Sequence, residues 1–391
     1  MKKQKICIIG GGLTGLLTAS VLSKFNLKID IVIDNFITNV KTNRTTAISY
    51  ENISYLKKIN LFKFSNAFLW PTSQMKIYSD SANEDLLEIL NIPSPPQKKI
   101  LYMVNNYKII KDLLDYIKSN KLITIKKGKK ILSIFNSGLL KGVRFKNKKK
   151  DEEKYNLVIV CAGRNSDLSN SLFANDTIQR SYEEVSVTTI LKHSKFKNMI
   201  ARQIFFKEGI LAFLPLSDTK TSVVLSMKKK IILDLKERKN IFIKKQILMY
   251  GKKFFNSIKF NSNLEFRDLS LLIRKKYYDE RILLFGDTLH AVHPLAGQGF
   301  NMVLRDLANL EKVIKNKLNL GLDIGNRDTL SEFSKLTKSK NFIYSMGIDF
   351  VRNVFLLENK KFKNARNQII KKIDKDNTIK SFIVDIANRG I

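Results

Sequence analysis

The sequence predicts an α/β protein with α+β elements: a βαβ unit interleaved with an antiparallel sheet and followed by C-terminal helices. Three observations carry this. The apolar run Ile6–Ile9 leads into Gly10-Gly11-Gly12-Leu13-Thr14-Gly15, a helical stretch to about Lys24, and a second apolar run, Ile29–Ile33, ending in Asp34. Between 181 and 226 apolar and polar residues alternate, as in Val185-Ser186-Val187-Thr188-Thr189, the pattern of a large antiparallel sheet with one face available as a pocket wall. From Arg281 to Leu310 the strand–glycine–helix order returns: Ile282–Phe285, a Gly286-Asp287 corner, a glycine-punctuated loop, then Val303, Leu307, Leu310 and Ile314 at helical spacing.

The first unit is a dinucleotide-binding pattern in full context, which makes it Rossmann-like. Gly10 makes the turn, Gly12 admits a pyrophosphate, Gly15 lets the helix pack on the sheet, and Asp34 takes ribose hydroxyls. In the late unit, Gly297 and Gly299 allow close approach of backbone amides where a helix begins, at the positive end of its dipole. Asp287, at the carboxyl end of a strand, is placed to accept hydrogen bonds from hydroxyls. Asn43 to Ser49 is read as leading into a helix, with the Arg44 guanidinium suited to phosphate or ribose oxygens. Residues 73–100 read as extended and turn-rich, and Asn105-Asn106 precedes a helix with Ile109, Leu113 and Ile117 on one face. Strands follow near 123–125, 131–135 and 142–145, then a buried strand from Tyr155 to Cys161 ending at Ala162-Gly163-Arg164-Asn165-Ser166. Residues 231–257 and most of 328–391 read as helical.

Composition narrows the function. A chain of 391 residues holds two or three structural units, and its formal charge is +35. The lysines are spread through nearly every segment rather than gathered with aromatics on one arm, which speaks against a nucleic-acid-binding protein. A basic surface also suits anionic lipid. Cys7 and Cys161 fall in apolar strands with neither metal nor disulfide spacing, so a reducing cytosol is the default. The basic start and the apolar run to Leu22 imitate a signal peptide, but the run contains Gly10-Gly11-Gly12 and has no small-residue cleavage site. No transmembrane span is expected. His290 and His293 have a spacing that suits two metal ligands, yet no third ligand cluster accompanies them, so no metal is expected and packing or a polar contact is the preferred role.

Three blocks in order, Gly10–Gly15 with Asp34, Cys161–Ser166, and Gly286-Asp287 through Gly297-Gln298-Gly299-Phe300-Asn301, resemble the class A FAD-dependent aromatic monooxygenases, the p-hydroxybenzoate hydroxylase fold. Gly286–Pro294, Ala296–Asn301, Leu304-Arg305-Asp306, Arg44–Ser49 and Phe213–Leu216 look like the ubiquinone-biosynthesis hydroxylases within that class. The resemblance implies FAD, reduction by NADH or NADPH, and a flavin C4a-hydroperoxide that hydroxylates the ring of a polyprenylated phenol or benzoquinone precursor. The cofactor carries that chemistry, so no acid–base pair is assigned to the protein. It further implies that Gly10, Gly12, Leu13, Thr14, Gly15, Asp34, Arg44, Asn106, Gly163 and Asp287 bind the cofactor. Gly299, Phe300, Asn301 and Met302 would present helix-start amides to the flavin, and Pro294, Gly297 and Gln298 would form the loop at its face. Ala162, Asn43 and Leu101-Tyr102 depart from the family's usual Asp, Asp and Gly-aromatic at those places.

The domain division expected is 1–70, 101–180 and 266–325 for FAD, 71–100 and 181–265 for substrate, and 326–391 as a helical segment. A lipophilic substrate implies a cytoplasmic protein peripheral to the inner membrane, with anionic lipid and a quinone-synthesis complex as partners. Other readings on the same scaffold are a prenyl-chain reductase, an epoxidase, or a non-catalytic flavoprotein of such a complex.

Overall fold

The computed structural model describes residues 3–34, 44–61, 69–80, 86–95, 98–146, 152–164, 166–173, 177–356, 360–376, 378 and 380–381. Asn43, Asn165 and residues 382–391, which entered the sequence reading, lie outside the described residues. The helices are α1 (Leu13–Leu22), α2 (Tyr50–Ile59), α3 (Asn106–Ser119), α4 (Asp167–Phe173), α5 (Lys229–Asp234), α6 (Lys239–Gly251), α7 (Gln298–Asn319), α8 (Arg327–Phe355) and α9 (Lys360–Lys375).

Two sheets organise the molecule. A six-stranded sheet has Lys5–Ile9 near its middle, paired in parallel with Lys28–Ile33 on one side and Leu157–Val160 on the other; Ile282–Leu284 extends it. These strands are apolar on both faces because helices α1, α3 and α7 cover one and the three-stranded meander of residues 131–155 the other, where the Tyr155 hydroxyl donates to Asp30; Ile6, Ile8, Leu157, Ile159 and Leu283 are fully buried. α1 is buried nearly all round, whereas α7 presents one apolar stripe, Val303, Leu307, Leu310 and Ile314, to the same core.

The second sheet has nine strands, built on Thr177–Lys192, Ile200–Phe206, Gly209–Ser217, Lys220–Lys228 and Glu265–Arg274. Alternation divides its faces. Val187, Leu211, Phe213, Val223 and Leu225 pack with Ile232, Ile243 and Ile247 of the helical layer, while Phe205 and Ile210 turn the other way, towards Leu295 and Met302. A small three-stranded sheet of Thr45–Ser49, Leu101–Asn105 and Trp70–Thr72 lies beside it, and Leu214 and Leu216 of the large sheet pack on Ala47, Leu101 and Met103 there.

Three expectations are corrected. Thr45–Ser49 is a strand, and the helix starts only at Tyr50. Tyr155 ends the strand Glu152–Tyr155 of a three-stranded meander; the parallel strand is Leu157–Val160. The large sheet is not wholly antiparallel, because Gln74–Asp80 joins Ile200–Phe206 in parallel. Glu265–Arg274 pairs along its length with Thr177–Lys192 in the large sheet. Among the described residues no helix is long and apolar enough to cross a membrane.

Candidate functional site

The site is built around two helix N-termini. Gly10 has φ +121, and a Cβ there would lie 2.4 Å from the Cys161 carbonyl oxygen; a Cβ on Gly15 would lie 2.1 Å from the Gly10 oxygen. These two glycines let α1 and the turn before it press onto the sheet. Gly12 differs: a Cβ there would meet nothing within 4 Å. The first helical bond is Leu16 N–H to Gly12 C=O at 3.0 Å, so the amides ahead of it, Leu13 to Gly15, are those the helix leaves without a partner of its own. Open space thus borders the donors. Asp34, exposed, stands at the carboxyl end of the neighbouring strand.

The late corner stacks directly on this turn. Gly286 has φ +68, and a Cβ there would lie 2.6 Å from the Thr14 methyl. Asp287 is exposed between buried runs 282–286 and 288–291, so its carboxylate alone leaves that corner. Behind it, the buried Thr288 hydroxyl accepts from Gly163 N–H at 3.0 Å, tying down the Gly163 turn at φ +81. The buried Arg274 holds this corner from below, donating to Thr288 C=O at 3.4 Å and to Asn170 Oδ1 at 2.7 Å.

Gly297, at φ +66, packs its α-carbon where a Cβ would come 2.8 Å from Ala47 Cβ, whereas Gly299 borders open space. Their difference repeats that of Gly10 and Gly12. Asn301 is fully committed to the protein: its Oδ1 accepts from Ser49 N–H and Asn52 Nδ2, both at 2.9 Å, and its Nδ2 donates to Ala47 C=O at 3.0 Å. Met302 is buried among Phe205, Ile210 and Ile348. The Asn301 side chain is thus spent within the protein and that of Met302 lies in the core, which leaves the backbone amides of the first turn as what α7 offers here.

The loop before α7 is held from three directions. Gln298 Oε1 accepts from Tyr344 Oη at 2.6 Å. His290 Nε2 lies 2.7 Å from Asp306 Oδ2, which also accepts from Asn341 of α8. His293 Nε2 lies 2.9 Å from Glu184 Oε2, whose other oxygen pairs with Arg352, and the Tyr182 ring meets His293 edge-on at 5.4 Å. Burial lowers the His293 pKa, and its Nδ1 is enclosed without a partner, so the arrangement suits a neutral ring donating through Nε2. Burial pushes the Glu184 carboxyl up, but hydrogen bonds from His293 and Arg352 together hold it below its ordinary value. The two histidines point to different carboxylates, and among the described residues no group of three or more His, Cys, Asp and Glu could hold a metal.

Arg44 sits close enough to Asp287 for their charges to interact; desolvation and then Arg267 lower its pKa while Asp287 opposes them. Asn106 accepts from Thr46 Oγ1 at 2.6 Å through Oδ1, its N–H donating to Arg44 C=O at 3.0 Å. The contacts Gly286–Thr14, Gly163–Thr288, Arg44–Asp287, Asn106–Thr46 and Gly297–Ala47 join the elements that carry these residues. Glu184, Arg274, Tyr344 and Arg352 escaped that reading. Each is an ordinary polar residue on a strand or helix, without motif or spacing, and only the fold gives it a partner.

These features define a class: an α/β dinucleotide-binding protein whose second helix N-terminus faces a large sheet. The residues fit FAD on the observation that Gly12 and Gly299 leave their Cβ positions open beside orphan amides, one helix start for the pyrophosphate and one for a ring edge. Residues 3–320 match the family described as FAD binding domain, and the chain belongs to it. It is 24% identical to the mitochondrial ubiquinone biosynthesis monooxygenase COQ6 of Dictyostelium discoideum, over 98% of this chain and 90% of that one. It is 22% identical to the 3-demethoxyubiquinol 3-hydroxylase of Escherichia coli, over 88% of each. Among solved structures, p-nitrophenol 4-monooxygenase PnpA from Pseudomonas putida superposes with TM-score 0.77 at 14% identity, covering 99% and 98% of the two chains. Klebsiella pneumoniae HpxO, complexed with FAD and uric acid, gives 0.75 at 13%, covering 99% and 97%.

Proposed function

We propose that this protein is an FAD-dependent monooxygenase that hydroxylates the ring of a polyprenylated phenol or benzoquinone precursor in ubiquinone biosynthesis. The observation that carries it is the pair of open glycines, Gly12 and Gly299, at two helix starts, the first packed through Thr14 on the Gly286 corner that leads to the second. It stands beside relatives named as ubiquinone-biosynthesis hydroxylases.

When bound, FAD supplies the redox chemistry, accepting electrons from NADH or NADPH and activating O2 for transfer of one oxygen atom to the ring. Gly10, Gly12, Leu13, Thr14 and Gly15 would hold the pyrophosphate, and Asp34 the adenosine ribose. Arg44 and Asp287 would meet the phosphates and the ribityl chain, with Asn106 on the flavin side and Gly163 supporting the corner through Thr288. The α7 amides from Gly299 would stabilise negative charge at the ring edge. Pro294 and Gly297 would wall the flavin face, and Gln298, held by Tyr344, would stay fixed beside it. Phe205 and Ile210, on the inward face of the large sheet, would exclude water from the reacting ring.

The substrate reading carries a location with it. A prenylated phenol resides in a bilayer, so the protein would work at the cytoplasmic face of the inner membrane, alone or in a quinone-synthesis complex. The test is to delete the gene and identify the quinone precursor that accumulates. A precursor lacking one ring hydroxyl is expected; an unchanged quinone pool overturns the assignment. A precursor with an altered prenyl chain would instead favour a reductase or epoxidase on this scaffold.

A further inference from the structure

The outer face of α8 has no counterpart in the site. Leu336, Ile343 and Phe350 recur at intervals of seven along it, with Phe342, Met346 and Val351 beside them. All six are exposed, Phe350 at 69% and Ile343 at 47%. At 1.5 Å per residue the stripe from Leu336 to Phe350 runs about 21 Å. An apolar helix face of this length left in water marks an interaction surface.

Charge says what covers it. Lys335, Lys338 and Lys340 are exposed at the N-terminal half of the stripe. Between Phe333 and Leu356 the only acid is Asp349, which is buried and accepts twice from Arg180 at 2.8 Å. The basic Arg352 is likewise turned inward, to Glu184. One turn before Leu336 on the same face stands Glu332, paired with Lys317 at 2.8 Å, so the stripe offers large apolar side chains and cations with its one flanking acid already neutralised. A second copy packed through the same face would bring lysines to lysines or to apolar residues, with only the Lys317-paired Glu332 as a carboxylate to meet them. A bilayer surface carrying anionic headgroups satisfies both halves at once.

The inner face of the same helix gives the docking a purpose. Tyr344 donates to Gln298, and Tyr344 and Ile348 pack with Phe205, Leu295 and Met302. One helix, roughly 10–12 Å thick with its side chains, thus separates the stripe from the loop at the proposed flavin face. We propose that α8 docks the protein on an anionic bilayer through Ile343, Met346, Phe350 and the three lysines, with the proposed site one helix behind the lipid surface. This rests on the lipophilic-substrate reading for its purpose, not for its physics.

The test is sedimentation of the full, flavin-loaded chain with phosphatidylcholine vesicles, with and without a third of phosphatidylglycerol. The native protein should bind the anionic vesicles and release at high salt. I343S/F350S should weaken binding at least tenfold, and K335Q/K338Q/K340Q by about fivefold for each lysine removed. K236Q/K245Q/K252Q, which removes the same charge elsewhere, should bind nearly as the native protein does. Equal loss in both lysine triples, or undiminished binding by I343S/F350S with its flavin content intact, overturns the proposal. So does a native dimer that I343S/F350S converts to monomer without change in vesicle binding. Because no substrate enters the assay, docking can fail while ring hydroxylation succeeds, and the reverse.

Discussion

Gly12→Ala and Gly15→Ala separate ligand space from packing space within one loop. At Gly12 the backbone has φ −76 and ψ 177, which any residue adopts, and a Cβ meets nothing within 4 Å. The substitution should leave the apoprotein as stable as before, or more so by about 0.4–1 kcal/mol through a stiffer unfolded chain. A methyl group beside the Leu13–Gly15 amides, however, would hold a pyrophosphate away from them. Loss of one charge-assisted hydrogen bond costs about 1.5–3 kcal/mol, which is roughly 10-fold to 150-fold in the FAD dissociation constant. At Gly15 the same methyl would sit 2.1 Å from the Gly10 oxygen, so α1 must shift off the sheet, at a cost of about 1–3 kcal/mol in the absence of any ligand. The assay is paired: thermal unfolding of each apoprotein, and flavin fluorescence quenching on titration with FAD. If Gly12→Ala destabilised the apoprotein while binding FAD normally, the loop would be packing space and the cofactor reasoning wrong.

Two other perturbations probe the supports. Asn301→Ala removes the acceptor of Ser49 N–H and the donor to Ala47 C=O, both buried, for about 3 kcal/mol. With an unfolding entropy of about 2.1 cal/mol/K per residue this is a melting temperature lower by about 4 °C; no change would mean that water replaces both bonds. The His293 pKa lies below its ordinary 6.5, so the unfolded chain takes up a proton there before the folded one does. Stability that is full above 6.5 should fall as pH drops below it, by at most about 1.4 kcal/mol per unit, and denaturant titrations should show this slope flattened in His293→Gln. A steeper slope in the variant would contradict a neutral, buried His293.

The strands of the parallel sheet were legible because burial on both faces writes continuous apolar runs, and the glycine positions because turn, approach and packing each demand one. Gly10, Gly12 and Gly15 are geometrically distinct in the way their spacing implies. What stayed hidden depends on long-range pairing. The parallel joining of Gln74–Asp80 to Ile200–Phe206 leaves no local trace, and Thr45–Ser49, read as part of the approach to a helix, is a strand because Leu101–Asn105 pairs with it. Alternation along 181–226 revealed two faces without saying which was inward; the helical layer against Leu211 and Val223 decides it. The Glu184–His293–Arg352 cluster joins residues 109 and 168 positions apart, beyond any periodicity. Asn301 was legible as a motif residue, yet nothing local announced that its side chain joins Ser49, Asn52 and Ala47.

The central claim is most directly tested by supplying the flavin-loaded protein with NADH or NADPH, isotopically labelled O2 and a prenylated phenol. The expected result is nucleotide oxidation accelerated by the phenol, with one labelled oxygen atom in the ring of the product. A protein that binds flavin yet consumes neither nucleotide faster when the phenol is present would contradict it.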